Sequence, residues 1–178
     1  MCSFSPRRGS LDLSRGEKWS PKSRVDLARS FVGFAVKAGA VRPDIATKEA
    51  LRSALLGARS VAYSRLGASG IFFAQLIADL GIASEVNARA TIVPQGFTAE
   101  RLVTGEADLA VQQISELKQV TGIDIVGPIP PLLQDPGVFS AGRLAASKKI
   151  EQSERFLKFL ASKEIAPALR ASGLEPFS

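Results

Sequence analysis

The residues best placed to do chemistry in this chain are the small ones of Gly67-Ala68-Ser69-Gly70, which stand between an apolar strand-like run and an apolar helix-like one. Glycines let backbone approach a ligand closely, and the first N–H groups of a helix beginning near Ile71 lack intrahelical acceptors and point at whatever fills the loop. Such a unit is an anion cradle that needs no catalytic side chain. A tight turn alone would use the same glycines, so the loop by itself leaves both readings open. Two more short loops follow apolar runs, Pro94-Gln-Gly-Phe-Thr98 and the stretch 112–115 that begins with Gln112 and Gln113. Arg65 beside the first loop reads as a solvated charge able to attract anions, and Tyr63 as a core residue with a tethered hydroxyl.

Other chemistries are narrowed by what is missing. The chain has no histidine, which excludes Ser-His-Asp and Cys-His nucleophiles, histidine metal ligands and imidazole bases. Asp108 and Glu116 are conceivable as an acid/base pair, but carboxylates facing an anion site would repel the ligand. The expectation is therefore a binding protein and not an enzyme, with no catalytic residues, no metal and no cofactor.

The net charge of +6 resolves into a basic start and a nearly neutral body: residues 1–29 hold seven basic and three acidic groups, the other 149 hold 16 and 14. No basic stripe interleaved with aromatics runs through the body, so nucleic acid is not an expected partner. A single cysteine, Cys2, excludes an internal disulfide. No stretch approaches the roughly 20 apolar residues of a spanning helix, and no signal peptide is visible, so the polypeptide as written is expected in the cytoplasm.

The elements that must position the loops follow from patterning. Residues 1–24 mix Ser, Pro, Gly, Arg and Lys and predict a poorly ordered lead-in. Phe31 to Val36 reads as a buried strand. Thr47 reads as the N-cap of a helix whose apolar stripe is Ala50, Leu51, Ala54 and Leu55. Strands are expected at 60–64, 90–93 and 107–111, with helices from about Ile71 to Leu80, closed by Gly81, and from Ala99 to Thr104 behind a Thr98 cap. Alternation at these spacings predicts a mostly parallel sheet covered on both faces, whose carboxyl-end loops converge on one site. The passage Pro128 to Pro136 is too rich in proline for a central strand or helix interior and marks a crossing between lobes. Beyond a further extended stretch, amphipathic helices are expected at 148–160 and 164–172.

Several ordered motifs carry a family resemblance. Ser23-Arg-Val-Asp-Leu-Ala-Arg-Ser30, Pro43-Asp-Ile-Ala-Thr-Lys-Glu-Ala-Leu51, Ala62-Tyr-Ser-Arg-Leu-Gly-Ala-Ser-Gly70, Leu102-Val-Thr-Gly-Glu-Ala-Asp-Leu-Ala-Val-Gln-Gln-Ile-Ser-Glu116 and Gly173-Leu-Glu-Pro176 together resemble extracellular solute-binding proteins of the molybdate-binding type, over residues 11–178. The resemblance implies a type II periplasmic binding-protein fold in the α/β class: a mixed sheet with helices on both faces, one lobe complete and the other partial. It implies a periplasmic subunit that closes over a small oxyanion and delivers it to the permease of an ABC importer. Residues 45–122 look like the second lobe; residues 25–44 and 123–178 look like crossing strands and the rest of the first. The ligand-binding residues it implies are Ala68, Ser69 and Gly70, then Gly96, Phe97 and Thr98. Where the family's molybdate binders have a tyrosine, this chain has Gln112 and Gln113, which read as amide donors or as helix entry. The family's opening strands have no counterpart in residues 1–24, so the chain looks truncated and impaired in binding, with apolar faces at Phe31, Phe34, Phe156 and Phe159 left uncovered. The effector-sensing domain of LysR-type regulators shares the fold and is the alternative; no helix-turn-helix precedes residue 25.

Overall fold

The computed structural model describes residues 2–5 and 20–177. The expectation of a poorly ordered lead-in falls mostly on residues 6–19, which lie outside the described residues. The chain forms two compact units, one of residues 1–30 with 135–178 and one of residues 31–134. The fold is α/β: one antiparallel and one mixed sheet, each with helices packed on it.

In the first unit, β1 (Cys2–Ser5), β2 (Val25–Ser30), β8 (Gly137–Ala141) and β9 (Glu175–Pro176) form an antiparallel sheet in the order β1-β8-β2-β9. Leu27, Ala141 and Leu157 make its small core, the last from helix α6 (Ile150–Leu160). Helix α7 (Ala166–Ala171) ends where Leu174 N–H returns to the Leu169 carbonyl and Gly173 takes a positive φ of 83°. That is the glycine closure its sequence predicts.

The second unit carries the loops of interest. Its sheet runs β5-β4-β6-β3-β7, from β3 (Val32–Lys37), β4 (Val61–Tyr63), β5 (Thr91–Ile92), β6 (Leu109–Gln113) and β7 (Ile123–Pro128). Strand β4 pairs in parallel with β5 and β6, whereas β3 is antiparallel to both β6 and β7. The sheet is thus less parallel than the alternation of elements predicts. The reason is that β3 and β7 also belong to this sheet, so the unit extends from 31 to 134 where the sequence places the lobe at 45–122.

Strand alternation sorts the two faces by size. Phe34, Val36, Val61, Tyr63, Leu109 and Val111 face one core, which takes Leu51 and Leu55 from α1 (Lys48–Gly57), Phe73 and Ile77 from α2 (Ala68–Asp79) and Val86 from α3 (Ala83–Asn87). Ala35, Ala62 and Ala110 face the other core, with Leu102 of α4 (Glu100–Val103) and Leu117 of α5 (Ile114–Leu117). Phe73 meets both Phe34 and Tyr63 edge-on, with ring centroids 6.1 and 5.0 Å apart. Phe34 is accordingly fully buried, correcting its place among the uncovered apolar residues; Phe156 and Phe159 of α6 are exposed.

Local signals explain the ends. Thr47 Oγ1 accepts the Ala50 N–H at 3.1 Å, as an N-cap should. Gly81, at φ 66°, closes α2, with Ile82 N–H returning to the Ile77 carbonyl. Helix α3 has no counterpart in the sequence reading, because five residues are too few to show a period.

Candidate functional site

The site is built at the carboxyl ends of β5, β4 and β6, three neighbours whose parallel pairing brings the following loops to one edge. After β4, the Ser64 hydroxyl accepts the N–H groups of Leu66 at 3.3 Å and Gly67 at 3.4 Å, which turns the chain into α2. Helix α2 begins at Ala68, three residues earlier than its apolar pattern predicts. The Gly67 carbonyl takes the N–H of Gly70 at 3.0 Å and of Ile71 at 2.9 Å; those of Ala68 and Ser69 have no acceptor among the described residues. Gly70, expected as a donor, has a steric part instead. A Cβ there would lie 1.3 Å from the Ser64 carbonyl oxygen, so only glycine lets the helix start this close to the strand end.

After β5, Gly96 sits at φ 92° and the N–H groups of Gly96 and Phe97 find no acceptor among the described residues. Thr98 is fully buried and does not cap α4, whose N-cap is Ala99. Its N–H donates to Gln112 Oε1 at 2.8 Å, and its hydroxyl lies 3.2 Å from the Val111 carbonyl and 3.1 Å from the same Oε1. Gln112 Nε2 donates in turn to the Gly96 carbonyl at 3.3 Å and to the Glu116 carboxylate. Both ends of Gln112 are therefore spent within the protein. It brackets the second loop to the end of β6, leaving no donor for a ligand.

Gln113, also buried, is the N-cap of α5, and its backbone N–H donates to Glu116 three residues on. This is the acidic half of a capping box. Burial pushes the Glu116 carboxyl above the usual glutamate range, against the two hydrogen bonds from Gln113 and Gln112 that hold it down. Asp108 lies at the other end of β6, bound to Arg59, so the two carboxylates are not brought together. The signal for Glu116 was present in the spacing Gln113-x-x-Glu116. A reading that set carboxylates aside as repulsive passed over it.

Arg65 is exposed and makes no ion pair among the described residues. It lines, with Tyr63, Ile71, Ala74, Gln75 and Asn87, a depression of about 440 Å³ on the flank of α2. Tyr63 is buried, its hydroxyl donating to Asn87 Oδ1. Among the described residues no cluster of acidic groups and cysteines has the makings of a metal site, and no helix is long and apolar enough to cross a membrane.

A family model described as bacterial extracellular solute-binding protein matches residues 10–175. A curated relative, aconitate isomerase from Pseudomonas sp., is 40% identical over 155 residues, covering 86% of this chain and 59% of its own. This chain thus spans about three fifths of that relative's length. Among solved structures, a substrate-binding domain from Clostridium difficile assigned to a molybdenum ABC transporter superimposes with a TM-score of 0.76 at 13% identity, covering 99% of this chain and 77% of its own. The periplasmic molybdate-binding protein of Azotobacter vinelandii gives 0.70 at 20%, covering 97% and 77%. At those identities the likeness is one of fold. The curated relative overturns the expectation of no enzyme, because an isomerase is one. The physical reason is that acid–base chemistry does not require imidazole, so the lack of histidine could not by itself exclude catalysis.

Proposed function

We propose that this chain, which belongs to the bacterial extracellular solute-binding protein family, binds a small carboxylate-bearing anion at the carboxyl edge of the β5-β4-β6 strands and serves in its isomerisation. Aconitate, a tricarboxylate, is the substrate. The observation that carries the reading is the 40% identity to aconitate isomerase across 86% of the chain. The edge suits such a ligand: the unspent N–H groups of Ala68, Ser69, Gly96 and Phe97 are donors for carboxylate oxygens, and Arg65 supplies a positive charge with no competing partner. Thr98 and Gln112 hold the loops that present them, and Gln113 opens α5 beside them. The test is to incubate the 178-residue chain with cis- or trans-aconitate and follow the isomers by proton NMR. Interconversion above the buffer rate is expected; the absence of both turnover and calorimetric binding of aconitate would sink the reading.

A second reading is capture of a small molybdate-like oxyanion in the periplasm for an ABC permease. The unspent N–H groups of the loops favour it, since backbone donors suit a compact tetrahedral anion. Titration with molybdate, tungstate and sulfate beside aconitate separates the two.

A further inference from the structure

Resting on the aconitate reading, we infer that Glu116 is the group that removes the substrate's proton and returns it. The carboxylate sits at the same edge as the unspent N–H groups. Gln112, bonded both to Glu116 and to the Gly96 carbonyl, ties it to the loop that carries the Gly96 and Phe97 donors. Two donors, Gln112 Nε2 and the Gln113 backbone N–H, fix its orientation. A proton carrier held in one geometry by its neighbours is what efficient transfer requires.

The other titratable groups around this edge serve less well. Tyr63 is buried and tied to Asn87, and Glu100, though its carboxylate comes within about 4 Å of where a Cβ on Gly96 would lie, is exposed at the start of α4. Arg65 stays protonated and is suited to the substrate's charge, not to its proton. Glu116 is half-buried, and burial, with no neighbouring charge contributing, raises its carboxyl above the usual glutamate range.

The step balances without a co-reactant. Ionised Glu116 takes a proton from the methylene carbon of aconitate: that C–H bond breaks and a carboxyl O–H bond forms. The C–H electron pair spreads over the adjacent C=C and into the flanking carboxylate, whose growing charge falls on the Ala68, Ser69, Gly96 and Phe97 N–H groups. Glu116 then returns the proton to the former vinylic carbon. The double bond has moved by one carbon, with its geometry free to change.

The test uses the full 178-residue chain in D2O, with aconitate as the probe. The parent is expected to isomerise aconitate with a kcat that rises with pH through a value above the ordinary glutamate range, because only the ionised base works. Glu116→Gln should lower kcat about 100-fold or more, with aconitate affinity by calorimetry within about threefold of the parent. Glu116→Asp, which keeps the carboxylate but retracts it by one methylene, should keep KM and lower kcat about tenfold, guarding against a Gln variant that fails to fold. A parent that turns over while both variants keep its kcat overturns the assignment of Glu116 alone. A parent that neither binds nor converts aconitate overturns the aconitate reading and this inference with it.

Discussion

The two ends of the five-stranded sheet treat their polar groups in opposite ways. At the end where β4 and β6 begin, several charges are paired within the protein: Arg59 donates to Asp108 at 2.9 Å and to the Gly105 carbonyl at 3.0 Å, Asp108 also accepts the Arg59 backbone N–H, and Arg42 meets Asp124 at 3.5 Å. At the end where the strands finish, the loops carry few charges, and among the described residues Arg65 has no ionic partner and the N–H groups of Ala68, Ser69, Gly96 and Phe97 are unspent. A groove of about 500 Å³ lies at the first end, lined by residues such as Val36, Lys37, Val41, Leu102 and Leu109. A depression is not a site unless its polar groups still have bonds to make. What distinguishes the second end is that its loops present the N–H groups of Ala68, Ser69, Gly96 and Phe97 beside few charges.

Substitutions can break this contrast. The largest effect is expected from Gly70→Ala, whose Cβ would lie 1.3 Å from the Ser64 carbonyl oxygen. Chain must move at this edge, at a cost of about 3 kcal/mol in urea unfolding; a loss under about 0.5 kcal/mol would show that the approach of α2 to Ser64 is not tight. Next comes Gln112→Ala, which strips the buried Thr98 N–H of its acceptor. A loss of about 1–3 kcal/mol is expected, together with faster amide exchange at Thr98; unchanged exchange would remove Gln112 from its bracketing role.

Arg65→Ala sharpens the contrast further, because it should weaken aconitate binding about tenfold, equivalent to about 1.4 kcal/mol, without moving the thermal midpoint. A shift in midpoint with unchanged affinity would make Arg65 an ordinary surface charge. The smallest effect is expected at the opposite end. Asp108→Ala breaks an ion pair in which the Arg59 side chain is 61% and the Asp108 side chain 44% exposed, so the stability loss should stay under about 1 kcal/mol, shrink with added salt and leave aconitate binding untouched. Changed affinity would mean that the two ends are coupled.

What could be read along the chain was whatever local physics decides. The Thr47 cap, the Gly81 and Gly173 closures and the glycine loop before α2 depend on residues within a turn of one another, and their side-chain types suffice to announce them. The alternation Phe34, Ala35, Val36 announces a strand buried on both faces for the same reason. Tertiary structure alone decided the rest. Whether Gln112 meets a ligand or the Thr98 N–H depends on the close approach of two loops 14 residues apart, and Gln134 secures the start of β3 by bonding both backbone polar groups of Val32 across 102 residues. Glu116 and Asp108 look alike in sequence; one became a half-buried, oriented carboxyl and the other half of an exposed ion pair because they cap opposite ends of one strand. A side chain's type sets the bonds it is able to make, and the fold sets which partners lie within reach.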